Sequence, residues 1–150
     1  MITLITHEVK YNRETNRIEE FKEFNNGKLV AFEIYYPNGN LKSKKDNYAL
    51  TNYDENGNLH GPRIRYVDGK TFTKTLYVHG KRNGIYIKYC TRTQVLDMIC
   101  EYKNDVKHGI ERAYYGNRQL WYEKNFHEGE EQPKTTIYEP DGKIVFKYPK

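Results

Sequence analysis

Gly84-Ile85-Tyr86-Ile87-Lys88-Tyr89-Cys90-Thr91-Arg92-Thr93-Gln94-Val95-Leu96-Asp97-Met98-Ile99-Cys100 reads as strand, turn, strand. Ile85 and Ile87 alternate with Tyr86 and Lys88, the period of two that a strand with two unlike faces requires. β-Branched and aromatic residues fill both arms, and the polar run between them is short enough for a hairpin. With Arg92-Thr93 as a two-residue loop, Ile87 lies against Met98, Tyr89 against Leu96 and Lys88 against Asp97, with Ile85 beside Cys100.

The same unit recurs in both directions along the chain. A tyrosine followed six residues later by an apolar residue occurs at Tyr35–Leu41, Tyr66–Phe72, Tyr89–Val95, Tyr114–Leu120 and Tyr138–Ile144, and Tyr11 with Ile18 is one residue longer. Successive anchors stand 24, 31, 23, 25 and 24 residues apart. Gly61, Gly84 and Gly109 keep the same beat, each five residues before an anchor. Such self-similarity is the mark of a repeat architecture. The one long gap localises an insertion to residues 49–61, expected as a loop or an extra turn.

Asn38-Gly39, Asp68-Gly69 and Asp141-Gly142 are suited to two-residue hairpin loops because they accept positive φ. Arg92-Thr93 and Asn117-Arg118 take that place in two units without glycine. Asn26-Gly27, Asn56-Gly57 and His79-Gly80 mark turns at the opposite rim. In this register Glu33 faces Lys44, Lys88 faces Asp97, Arg112 faces Glu123 and Glu111 faces Lys124, while Arg63 facing Lys74 is the one like-charged pair. Opposite charges across an antiparallel pair are favourable by a few tenths of a kcal/mol to about one. The expected fold is all-β: about six antiparallel hairpins in an elongated array, with residues 1–150 as a single repeat domain.

Composition narrows the function classes. Apolar residues make up 37% of the chain, and no run approaches the roughly 20 that a bilayer-spanning helix needs. Met1-Ile2-Thr3-Leu4-Ile5-Thr6-His7-Glu8 has neither a basic n-region nor a long apolar stretch, so no signal peptide is expected. Fifteen Tyr, six Phe and one Trp argue for a folded chain, because disordered segments are poor in aromatics. The formal charge of +5 is spread among interspersed signs, the pattern of a solvated surface. With two cysteines and no disulfide framework, an intracellular, cytoplasmic setting is expected.

Tyr35-Tyr36-Pro37-Asn38-Gly39-Asn40-Leu41, Tyr53-Asp54-Glu55-Asn56-Gly57-Asn58-Leu59-His60-Gly61 and Val106-Lys107-His108-Gly109-Ile110-Glu111-Arg112-Ala113-Tyr114-Tyr115 resemble MORN repeats. More closely they resemble the divergent variant of bacterial antitoxin-type proteins and of some large DNA viruses. The likeness covers roughly residues 7–148, and Thr93 and Arg118 stand where a glycine is usual. It implies a non-catalytic scaffold for protein–protein interaction, either an antitoxin or a viral structural or accessory protein, acting in the host cytoplasm or the virion. The alternative is a binder of anionic surfaces, a phosphoinositide membrane or single-stranded nucleic acid.

The residue types that carry chemistry are read in this light. No P-loop, dinucleotide fingerprint or nucleophile elbow is present, so no enzyme and no cofactor are expected. His60 and His108 are two units apart, as are His79 and His127, too far for either pair to share a metal; His108 and His127 should face each other across one hairpin. Two imidazoles alone make a poor zinc site, and no metal is expected. A partner-binding surface is the better use of so many tyrosines, which are enriched in interfaces. Off the anchor positions, Tyr36, Tyr86, Tyr115 and Tyr122 with Lys88 are the candidate contacts. Ile64, Ile85, Ile87, Leu96 and Met98 share the parity expected to pack.

The register places Cys90 and Cys100 five rungs apart, ~17 Å along the strands, beyond the roughly 7 Å that a disulfide spans. Both thiols should therefore react with a thiol reagent in the denatured chain without prior reduction. Detection of a Cys90–Cys100 bond by mass spectrometry would contradict the hairpin reading.

Overall fold

The computed structural model describes residues 3–147; Met1, Ile2 and Tyr148 of the segments above lie outside them. The strands are β1 (Ile5–Tyr11), β2 (Ile18–Asn25), β3 (Lys28–Tyr35), β4 (Leu41–Lys45) and β5 (Ala49–Asn52). They continue as β6 (Gly61–Val67), β7 (Lys70–Val78), β8 (Lys81–Tyr89), β9 (Leu96–Lys103) and β10 (Val106–Lys107). The last four are β11 (Gly109–Tyr114), β12 (Leu120–His127), β13 (Glu130–Tyr138) and β14 (Ile144–Lys147). All pair antiparallel in chain order in one open sheet, and no helix occurs among the described residues. β10 and β11 both pair with β9 and are interrupted at His108. The all-β hairpin array is what the alternation and turn chemistry predict.

The register departs from the expected one in a regular way. A β-bulge lies immediately before every anchor: between Lys10/Tyr11, Ile34/Tyr35, Arg65/Tyr66, Lys88/Tyr89, Ala113/Tyr114 and Ile137/Tyr138. Asn38-Gly39 is part of a three-residue loop, Pro37-Asn38-Gly39, closed by the Tyr36 N–H on the Asn40 carbonyl at 2.8 Å. The bulge absorbs the extra loop residue, so Glu33 still meets Lys44, and by the same route Arg112 meets Glu123 and Glu111 meets Lys124.

Where the loop has two or four residues the bulge shifts the register instead. Asp68-Gly69 is a two-residue turn with φ of 49° and 72°, and the bulge beyond it pairs Arg63 with Thr75, removing the like-charged contact with Lys74. The Cys90 carbonyl accepts from the Gln94 N–H, the loop has four residues, and Ile87 lies opposite Ile99 rather than Met98. Tyr86 faces Cys100, Ile85 faces Glu101 and Lys88 faces Met98, although Asp97 in the bulge still reaches Lys88 Nζ at 2.6 Å. Tyr89 pairs with Leu96 and Tyr66 with Thr71, each one residue from the six-residue spacing.

The insertion is a strand. β5 pairs with β4 and β6, and the turn after it repeats the anchor chemistry, with Tyr53 bridged to Leu59 six residues on. One added strand reverses the direction of every later one. The Tyr11, Tyr35 and Tyr53 turns share one rim, whereas those of Tyr66, Tyr89, Tyr114 and Tyr138 share the other. Asn56-Gly57 consequently lies on the rim of the Asn38 turn, the Asn38 side chain bonding the Glu55 carbonyl at 3.4 Å, and not on the opposite rim.

A compact monomer of 18.0 kDa exposes about 8,000 Å²; this chain exposes 10413 Å². In the turns, one residue must adopt left-handed φ: Gly39 (92°), Gly57 (83°) and Gly142 (87°), but also Arg118 (71°). Nothing lies within 4 Å of a Cβ built on Gly57, so Gly57→Ala carries the backbone cost alone, ~1–2 kcal/mol. Its melting temperature should fall by about 2–4 °C per kcal/mol. Arg118→Gly should hold or raise the melting temperature, strain relief offsetting the added freedom of the unfolded chain.

Candidate functional site

Alternation along paired strands divides the side chains between two faces. One face carries the row Ala49, Arg65, Thr73, Lys88, Met98, Ala113, Tyr122, Ile137 and Phe146, each directly opposite the next. Beside it runs a second row, with Arg63 opposite Thr75, Thr75 opposite Tyr86 and Tyr86 opposite Cys100. The other face carries Ile64, Ile85, Ile87 and Ile99. The isoleucine face is not the more packed one: Ile64, Ile87 and Ile99 are half-buried, and of the buried residues only Ser43 lies there. Cys100, Ala113, Glu111, Thr73 and Thr51 are all buried on the tyrosine face, whereas Ile85 is 50% exposed. Met98, expected among the isoleucines, is on the tyrosine face because the Lys88/Tyr89 bulge shifts its parity.

The five candidate contact residues divide accordingly. Tyr86, Lys88 and Tyr122 share the tyrosine face, all half-buried. Tyr36 and Tyr115 follow their anchors and brace neighbouring turns: Tyr36 Oη donates to the Tyr53 carbonyl at 2.9 Å, and Tyr115 Oη to the Tyr138 carbonyl at 2.8 Å. The inversion at β5 puts them on opposite rims. The structure gives both a turn-bracing role, and Tyr115 also meets Trp121, the neighbour of Tyr122, with ring centres 5.9 Å apart.

Most cations of the tyrosine face are paired within the chain. Lys44 bonds Glu33, Arg82 bonds Asp105, Lys88 bonds Asp97 and Lys124 bonds Glu131 at 2.6–3.0 Å. Lys107 bonds the buried Glu111 carboxylate, which also accepts from Tyr122 Oη at 3.0 Å. Among the described residues Arg63 and Arg65 form no ion pair, and Arg63 Nε is buried with no hydrogen-bond partner. These two guanidiniums line a cleft of about 240 Å³ with Arg82, Phe72, Thr73, Thr75, Tyr77 and Tyr86. Arg82 also lies 4.0 Å from the centre of the Tyr102 ring, which stands edge-on to Tyr86. The cleft can take a planar or anionic group between a bidentate cation and an aromatic wall. Sequence reasoning missed it because the bulge beyond the Asp68-Gly69 turn sets Arg63 opposite Thr75, beside Tyr86, in place of Lys74.

A second cluster sits on the rim. His108 and His127 meet as expected, ring centres 5.2 Å apart. His60 and His79 make the same contact, also at 5.2 Å, and Asp54 joins them with Oδ2 3.0 Å from His79 Nδ1. Both histidine pairs are nineteen residues apart in sequence, a spacing that would have revealed the second pair. The bond to His79, with donors from Asn58 and Asn56, depresses the Asp54 carboxyl to about 2.

The fold and these surfaces define an all-β hairpin array with a cationic, aromatic face. Compared with protein-family models and with curated protein sequences, the chain matches none.

Several phenols are held neutral. The hydrogen bond to Glu33, reinforced by burial, pushes Tyr35 up to about 12. Burial, then the bond to Glu111, raises Tyr122, and burial raises Tyr86 and Tyr102. An unfolded phenol ionises near 10. Raised folded values mean that this stability is fully present below pH ~10 and is lost as pH rises through them. Denaturant midpoints should therefore fall between pH ~10 and ~12, and less steeply in Tyr35→Phe and Tyr122→Phe. An identical slope in both variants would contradict the assignment.

Proposed function

We propose that the chain is a non-catalytic scaffold whose tyrosine face binds an acidic segment of a protein partner. The observation that carries this reading is the pair of guanidiniums without an internal carboxylate, Arg63 and Arg65, set in a cleft walled by Phe72, Tyr77 and Tyr86. Burying a charged donor without a partner is costly, and the cost is recovered when a carboxylate arrives. Arg and Tyr are also the residues most enriched where interfaces concentrate their binding energy. The neighbouring cations are already neutralised, which confines the attraction to the centre of the face.

The resemblance of the turn segments to MORN repeats supports a scaffold over an enzyme, and the open, single sheet supports it as well. Arrays present equivalent positions side by side and so favour extended partners. An antitoxin and a viral structural or accessory protein both fit within this reading. Phosphate would also satisfy the two guanidiniums, and the anionic-surface reading rests on that chemistry.

Affinity capture from the native source with the wild-type chain, and with Arg63→Gln/Arg65→Gln as control, tests the proposal. Glutamine keeps most of each aliphatic stem and removes the charge. A protein retained by the wild type, and bound at least about tenfold more weakly (~1.4 kcal/mol) by the double variant, is the expected result. Oligothymidylate or phosphoinositide vesicles binding in its place, with affinity falling steeply as salt rises, would assign the anionic-surface function. Equal binding by both chains would remove the cleft from consideration.

A further inference from the structure

The rim cluster has a composition that the partner-binding face does not explain. Asp54, His60 and His79 each present one donor atom, and the three atoms lie within 4.8 Å of one another. They come from three places in the chain: the turn after β5, the residue before β6 and the turn between β7 and β8. The inserted segment, residues 49–61, supplies the first two. The Gly80 N–H on the Leu59 carbonyl, at 2.8 Å, holds the third against them.

We propose that Asp54, His60 and His79 form a binding site for a divalent transition-metal ion of the zinc class. Two imidazole nitrogens and one carboxylate oxygen match the donor set of a four-coordinate zinc centre that keeps one position open. Nitrogen-rich sites of this kind favour zinc, copper or nickel over magnesium or calcium, which prefer oxygen. Zinc held at about 2.0–2.2 Å separates its ligands by roughly 3.4 Å. The Asp54–His79 separation of 3.0 Å already approaches this, and the exposed His60 and His79 rings are free to turn the remaining distance.

The carboxylate is oriented in advance. Asp54 Oδ1 accepts from the Asn56 N–H at 3.0 Å and the Asn58 N–H at 2.9 Å, and Oδ2, which also accepts from Asn58 Nδ2 at 3.2 Å, is directed at His79. Fixing a ligand through its second atom is the usual outer-shell device at metal sites. The Asp54 side chain is only 12% exposed, so the ion would sit between a buried anchor and two surface rings. There it would clip the turn of the inserted strand to the next rim turn, at the place where the array reverses.

The molecule contains its own control. His108 and His127 meet at the same 5.2 Å, but among the described residues no carboxylate joins them at this range. If paired histidines were sufficient, both pairs would bind metal alike.

Zinc ion alone, titrated into the full-length chain in a non-coordinating buffer, tests the proposal by calorimetry and thermal melting. One ion per chain and a melting temperature that rises with zinc are expected, because a ligand of the folded state alone stabilises it. Asp54→Asn keeps the Oδ1 acceptor of the turn, and His79→Asn tolerates the φ of 47° at that position. Each should weaken binding by more than about tenfold, the loss that even an outer-shell change produces. His127→Ala should bind as the wild type does. No heat and no shift in the wild type would overturn the site, as would Asp54→Asn binding equally well or His127→Ala losing as much as His79→Asn. None of these readouts involves a protein partner, so the result is independent of the tyrosine-face proposal.

Discussion

A sheet one layer thick has no opposite wall, so its side chains can be covered only by their cross-strand neighbours. This constraint explains which residues are buried here. Thr51, Thr73, Cys100 and Ala113 are short enough to be roofed by longer side chains in the adjacent strands. Glu111 is buried only because Lys107 and Tyr122 close over it and satisfy its carboxylate. The abundance of tyrosine follows from the same constraint: a flat ring covers its neighbour while its hydroxyl reaches a backbone carbonyl, as at Tyr36 and Tyr115, or a carboxylate, as at Tyr35 and Tyr122.

The inserted strand β5 changes more than the spacing of the array. Reversing the later strands moves the anchor turns to the other rim and exchanges the faces on which equivalent positions lie. Glu33, two residues before Tyr35, belongs to the tyrosine face; Ile87, two before Tyr89, belongs to the isoleucine face. Both candidate sites stand at this reversal. The arginine cleft begins on β6, the first strand after it, and the Asp54–His60–His79 cluster is built on the turn that produces it. An irregularity in a repeat is where unlike residues can be brought together, because the periodic positions elsewhere repeat the same chemistry.

The bulges account for where sequence reading of the faces succeeded and failed. Glu33–Lys44 and Arg112–Glu123 were legible because a three-residue loop and one bulge sum to the register of a two-residue loop. The partner of Arg63 and the face of Met98 were not, because their hairpins close with two and four residues and a bulge then shifts the pairing by one. A one-residue slip moves every side chain beyond it to the opposite face. The histidine contact at His108–His127 survived this uncertainty because it lies close to a rim turn and its partners are large.

The amino-acid sequence by itself determined the β class, the period, the positions of the turns and the presence of something extra between residues 49 and 61. These are local properties, written in alternation, in turn residues and in the spacing of tyrosines. Tertiary structure decided the loop lengths, the bulges, the reversal at β5 and hence the faces. Each depends on hydrogen bonds between segments that no single stretch of sequence contains. Asp54 meets His79 across 25 residues for that reason: the meeting is set by the number of strands laid down between them, not by any motif that either residue belongs to.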